Sequence, residues 1–395
     1  MSKPKVVRRA VVAAFLVYVV FGLPDGVFGP IWPNLRNDFG RSDSSLGLLS
    51  LAIAIGYGLG SLASSRVTEL VGLHRVLTTA MAAATAALSI IAAAPEFAVV
   101  MVGYTLLGAG WGFADAALNA WVALTAGPRT MGMLHGSYGI GAFAGPLLAT
   151  LFVADGMAWR GPLVACALFT GATVLALIAT RRGFGAAETR PEIAGSGEPA
   201  TARRALILLI VWFAIYVGIE VAIGSWAYTL LVEGRGRSEE YAGALTAAYW
   251  GGLMAGRFVL AVVGHRLHPE RTIRHMTVIA IVAAALLWAD PGGHGGLMLP
   301  VLGAACSVMF PVAMGRTAVY VGEARAARAV GYQIGGTTIG FTLLPALIGV
   351  LADRHGVGVS APVFLLALGG LAAAWYALER TVRPATMGGL SSTSA

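Results

Sequence analysis

Apolar residues in this chain come in long, nearly unbroken runs, separated by short breaks of polar, Gly and Pro residues. Neither the alternation of a half-buried strand nor the one-sided stripe of a water-facing helix is sustained. A bilayer core of about 30 Å is spanned by about 20 helical residues at a rise of 1.5 Å each. The runs predict twelve such spans, near 11–33, 44–65, 76–94, 97–124, 131–153, 160–180, 205–231, 241–263, 272–290, 296–320, 328–351 and 361–380. The expected fold class is all-α and integral to a membrane.

The pattern repeats. An offset of 195 carries Gly29 onto Gly224, Gly108 onto Gly303, Gly136 onto Gly331, Gly141 onto Gly336 and Gly145 onto Gly340, and it carries Asp25 onto Glu220. Each copy holds six spans. Two similar halves in parallel around a polar midplane are the architecture of a rocking carrier. The expected organisation is a first bundle over 1–180, a cytoplasmic linker over 181–204, and a second bundle over 205–395 ending in a short cytoplasmic tail.

Composition supports lipid as the solvent. Mean hydropathy is +0.77, with 57% hydrophobic and 12% charged residues, against about 25% charged in a soluble domain. The net charge of +8 follows the membrane rather than a nucleic-acid face. If the N-terminus is cytoplasmic, all 27 Lys and Arg fall on or near that side except Arg36, Arg41, Arg160, Arg235, Arg237 and Arg354. The positive-inside rule then places both termini in the cytoplasm, and the plasma membrane is the expected location. Lys3, Lys5, Arg8 and Arg9 precede the first run, but that run passes 20 residues without a cleavage site and is expected to stay as a permanent helix. The linker gathers Arg181, Arg182, Arg190, Arg203 and Arg204 around a Gly/Pro/Glu-rich tether. Cys166 and Cys306 lie inside apolar spans and are expected to be buried free thiols.

Ionisable groups at membrane depth are costly, which marks each as a functional candidate. Asp25 lies among Pro24, Pro30 and three glycines of span 1, and a helix broken there would expose backbone groups to a polar cavity. Asp115 and Asn119 in span 4 are four apart, so they share one helical face and can reach the same hydroxylated solute or pass a proton to it. Glu220 in span 7 has Tyr216 and Trp226 on nearby turns, an arrangement suited to a sugar ring whose C–H face stacks while its hydroxyls bond. Tyr228 is expected to be an interfacial anchor. His135 and Tyr138 open span 5 and Gln333 opens span 11, as further cavity candidates near the inner surface. Arg257 and Arg316 are placed near the cytoplasmic end, to snorkel or to form a gate contact with Glu69 or Glu323. The glycine rows of spans 2, 5 and 8 indicate closely packed helix pairs.

No phosphate-binding loop, zinc pair or hydrolytic triad is visible, so no enzymatic activity and no cofactor are expected. Without an ATP-binding motif, uphill movement of a solute must draw on an ion gradient.

The whole chain resembles the major facilitator superfamily in its twelve spans, parallel repeat and basic central linker. The loop Glu69-Leu-Val-Gly72-Leu-His74-Arg75 is similar to the superfamily's acidic-x-x-Gly-x-basic-basic gate signature, without the usual glycine before the acid and the usual Arg beside it. Within the superfamily the chain is most similar to the fucose permease-like branch. Asp25 matches that branch's acidic residue in span 1, and Asp115-Ala-Ala-Leu-Asn119 its acidic-x-Ala-Ala-x-Asn pattern. The resemblance implies proton-coupled sugar import with Asp115 as the main proton and substrate residue and Asp25 as a second protonation site.

The expected function is alternating-access import of a small hydroxylated solute, with a proton as coupling ion, or sodium in its place. Asp115, Asp25 and Glu220 carry the coupling; Asn119, Trp226, Tyr216, Tyr138, His135 and Gln333 meet the solute; Glu69, Arg75, Arg257 and Arg316 form the gate. The alternative is a proton-driven exporter of a drug-like compound, supported by Gly141-x-x-x-Gly145-Pro146, which resembles an antiporter signature. Expected partners are the solute, the ion and the bilayer, with no nucleic acid; the chain is expected to be a monomer.

Overall fold

The computed structural model describes residues 3–125, 127–153, 159–184 and 200–382. Most of the expected linker, including Arg190, and the tail after 382 lie outside the described residues. The helices are α1 (Lys3–Asp38), α2 (Ser45–Val71), α3 (Leu73–Ala92), α4 (Phe97–Thr125), α5 (Gly127–Val153), α6 (Arg160–Thr180), α7 (Ala200–Val232), α8 (Glu239–Val263), α9 (Pro269–Ala289), α10 (Leu299–Gly315), α11 (Thr317–Val321), α12 (Glu323–His355) and α13 (Ser360–Val382). Eleven spans among the described residues are long and apolar enough to cross a bilayer. Helix α5 completes the twelve: its glycines with His135, Ser137 and Tyr138 make it the more polar of the set, as expected of a helix that faces a cavity on one side.

Two features differ from the sequence expectation. Helix α1 is not broken at Asp25; it runs through Pro24, Pro30 and Pro33 as one helix. Tight packing of its glycines against α5 and α7 holds the segment helical where proline alone would interrupt it. The expected tenth span is divided instead. A 3-10 turn over Gly295–Met298 leads into α10, and α10 ends at Gly315, after Pro311, before the short α11 continues towards the turn at Gly322.

Helix packing follows the repeat. Helix α1 lies on α5 and α6, α2 on α4, and α3 on α4 and α6. The second set matches it term for term: α7 lies on α12 and α13, α8 on α10, and α9 on α10 and α13. The same glycine spacing makes both α2·α4 and α8·α10 possible. A Cβ at Gly56 or Gly60 would collide with the carbonyls of Thr105 or Ala109, a Cβ at Gly252 with the carbonyl of Pro300, and one at Gly256 with the side chain of Ser307. Small residues let these backbones touch, which is how lipid-embedded helices gain packing energy. Gly141 and Gly145 seat α5 on Val19, Leu23 and Gly26 of α1 in the same way.

The two sets meet through α1·α7, α2·α12 and α5·α8. At the face opposite the N-terminus of α1 they are tied together. Arg36 at the end of α1 pairs with Asp43 and, at 2.7 Å, with Glu233 at the end of α7, while the Ser44 amide donates to Asp353 of α12 at 3.3 Å.

Candidate functional site

Between the sets lies a cavity of about 540 Å³, part of it open to solvent, lined by Asp25 and Tyr138 from the first set and by Trp250 and Ser225 from the second. Tyr104, Trp111 and Phe28 add further aromatic walls, and Ser50 a further hydroxyl. Asp25 is presented by α1, and the Tyr138 hydroxyl on α5 donates to its Oδ2 at 2.7 Å. One carboxylate among aromatic faces, with hydroxyls around it, can accept from a solute's hydroxyl groups while the rings cover its apolar edges.

Two helical turns before Asp25 on α1, about 10 Å along the axis, Tyr18 joins a second carboxylate. Its hydroxyl donates to Asp115 Oδ1 at 2.5 Å, and Tyr57 of α2 donates to Oδ2 at 2.6 Å. Asn119 Nδ2 lies 2.9 Å from the Tyr18 hydroxyl and 3.0 Å from the Asp115 carbonyl. Asp115 and Asn119 therefore lie on one face, and both engage Tyr18. His135 stands edge-on to the Tyr18 ring with centroids 5.3 Å apart and is exposed. A carboxylate that accepts from two hydroxyls is held by charge-assisted bonds of about 1.5–3 kcal/mol each, without a fixed cation.

The third carboxylate differs. Glu220 accepts from the Tyr216 hydroxyl at 2.6 Å, and Arg257 Nη2 lies 3.3 Å from its Oε1. Tyr249 donates to the Glu220 carbonyl at 2.9 Å. The expected position of Arg257 near the cytoplasmic end is corrected by this contact, because α8 carries it alongside the middle of α7. Arg316 does stand at the end of α10, but its partner is Glu270 of α9 at 2.7 Å rather than Glu69 or Glu323.

The remaining candidates scatter. Trp226 is fully buried inside the second set, where Nε1 donates to the Pro345 carbonyl at 3.1 Å; it is not among the cavity-lining residues. Tyr228, expected at the lipid interface, is 1% exposed, because α7 is wrapped by its own set. Gln333 is buried rather than hydrated, and its Oε1 accepts from Thr317 at 3.1 Å. Glu69 and Arg75 are exposed around the turn at Gly72, whose φ of 86° needs glycine. Sequence reasoning missed Tyr18, Tyr57, Tyr104 and Trp250. Tyr18 had a signal, since it lies two turns before Asp25 on the same face of α1.

A family model described as Major Facilitator Superfamily matches residues 14–302. The chain belongs to the Major Facilitator Superfamily. Among curated relatives of this superfamily member, the glucose/galactose transporter of Brucella abortus is 24% identical, over 88% of this chain and 89% of that protein. The human sodium-dependent glucose transporter 1 is 21% identical, over 86% of this chain and 72% of that one. The solved E. coli fucose:proton symporter FucP shares the fold with a TM-score of 0.59 at 14% identity, covering 93% of this chain and 98% of its own. The resemblance to the fucose permease-like branch stands with these findings.

Proposed function

We propose that this superfamily member imports a sugar or a similar hydroxylated solute across the plasma membrane by alternating access, driven by a proton gradient. The observation that carries the reading is the cavity between the two helix sets. Asp25 and Tyr138 meet there among Trp111, Tyr104, Phe28 and Trp250. Carbohydrate sites combine an acceptor for hydroxyls with aromatic faces for C–H surfaces, and here one set supplies the acid and both supply rings. The names of the Brucella and human relatives agree with a sugar as solute.

Coupling falls to Asp115 and Asp25. Asp115 has two hydroxyl donors and, among the described residues, no ion pair with an arginine, so it can exchange a proton without breaking one. Glu220, paired with Arg257, is the neutralised member of the three. The bundles over 1–180 and 205–395 rock about their contact, with both termini in the cytoplasm. Sodium is the second coupling ion to test, given the name of the human relative.

The test is uptake of radiolabelled glucose, galactose and fucose by proteoliposomes under an imposed proton or sodium gradient. Accumulation driven by the proton gradient and abolished in Asp115→Asn supports the reading. Accumulation that follows only sodium reassigns the ion, and no sugar uptake under either gradient sinks it.

A further inference from the structure

Trp250 is the one cavity-lining residue, among the described residues, whose buried polar side-chain atom has no hydrogen-bond partner. It lines the cavity beside Asp25 and Tyr138, is 3% exposed, and leaves its indole Nε1–H without an acceptor. An orphaned buried donor is uncommon and costs free energy, so each instance needs a reason. Packing explains where the ring sits. Gly224 of α7 gives way to it, since a Cβ there would strike Trp250 Cζ2. Tyr249 meets it at 5.3 Å and Tyr138 at 6.4 Å between centroids, both edge-to-face. The notch at Gly224 accounts for the six-membered ring of the indole; it leaves the Nε1–H without a partner.

We propose that Trp250 is a specificity residue whose N–H donates to an oxygen of the transported solute in the cavity that Asp25 also lines. The inference rests on the solute-cavity reading above and narrows it. Asp25 and the indole belong to opposite helix sets, one accepting and one donating. A solute that satisfies both must carry a hydroxyl donor and an oxygen acceptor on different atoms, as a sugar does. A cation without an oxygen, such as tetraphenylphosphonium, offers no acceptor and would leave the indole orphaned. The N–H is closed to water in this conformation, so solvent does not satisfy it. Helix α8 packs on α5 of the other set, and its adjustment around the bound solute brings the donor to its acceptor. Donor and acceptor on opposite sets make the solute itself the bridge that draws the sets together.

The experiment is equilibrium binding to the purified full chain, comparing glucose and galactose with their mono-deoxy analogues, for the wild type, Trp250→Phe and Trp250→His. In the wild type, one deoxy position loses affinity through the missing acceptor. Trp250→Phe is expected to weaken the parent sugar about 5- to 10-fold, the scale of one neutral hydrogen bond, and to lose discrimination at that position alone. Trp250→His, which keeps a ring N–H, is expected to recover part of both. Full discrimination retained at every position by Trp250→Phe overturns the assignment while leaving sugar binding intact, and so does an unchanged parent affinity in that variant. A wild type that binds tetraphenylphosphonium but no sugar overturns the sugar reading and this inference together.

Discussion

Asp25 and Glu220 occupy the same place in the two halves of the chain, yet among the described residues only Glu220 forms an ion pair with an arginine. Asp25 takes its hydrogen bond from Tyr138 on another helix, whereas Glu220 takes one from Tyr216 on its own and lies 3.3 Å from Arg257. In the proposed coupling, Asp25 is the acid that binds and releases the cation, while Glu220 is held by its ion pair with Arg257. The repeat carries a carboxylate at this position in both halves, with different partners in each.

Removing one member of the Glu220–Arg257 pair leaves the other as an uncompensated charge at membrane depth. Arg257→Gln is expected to destabilise the protein by about 3 kcal/mol, seen as a lower unfolding temperature in detergent. The double variant Glu220→Gln with Arg257→Gln should regain most of that loss. A single variant as stable as the wild type would mean that the pair carries no such role.

Asp115→Asn is expected to abolish uphill accumulation while solute exchange down a concentration gradient persists in part. The amide keeps one acceptor oxygen for one tyrosine and offers an NH2 donor to the other hydroxyl, but it cannot bind and release a proton. Counterflow measured beside gradient-driven uptake separates the two effects. Loss of both together would assign Asp115 to solute binding instead.

Tyr18→Phe and Tyr57→Phe each delete one donor to Asp115. Each is expected to reduce coupled uptake about tenfold, the scale of one charge-assisted bond. Tyr18→Phe should cost more, because its hydroxyl also meets Asn119 at 2.9 Å. Equal initial rates in all three proteins would remove the tyrosines from the coupling site.

At the crossing of α1 and α7 the repeat mates Gly29 and Gly224 touch. A Cβ on Gly29 would lie 2.5 Å from the Gly224 carbonyl oxygen. Gly29→Ala is therefore expected to disfavour the conformation in which the face bearing Arg36 and Glu233 is closed. Spin labels at Ser42→Cys and Glu240→Cys, with Cys166 and Cys306 replaced by Ser, would report a shift to longer distances. Arg36→Ala, which deletes the tie to Glu233 and Asp43, should shift them the same way by a smaller fraction.

The membrane fold was legible in the sequence because a bilayer imposes one-dimensional rules. Apolar runs of a fixed minimum length must become helices, since lipid leaves no other partner for backbone groups. The 195-residue recurrence of Gly29, Gly108, Gly136, Gly141, Gly145 and Asp25 gave the duplication for the same reason, as close helix crossings need small residues at fixed spacing. Asp115 and Asn119 were placed on one face by helical period alone.

What the sequence could not state is which helix each face meets. Pro24 and Pro30 spoke for a broken α1, and packing against α5 and α7 kept it whole. Aromatic Trp226 looked like a solute contact beside Glu220, but the rotation of α7 turns it to Pro345. Trp250, without a nearby acid in its own helix, sits at the cavity. The sequence determined the spans, their pairing into two similar sets and the acids buried within them, because those follow from local period and from the cost of burying charge. Only the tertiary structure decided that Tyr18 and Tyr57 hold Asp115, that Arg257 pairs with Glu220, and that Asp25 and Trp250 line one cavity. Such contacts depend on helix rotation and crossing, which are set by the fit of many side chains at once and leave no mark at any single position.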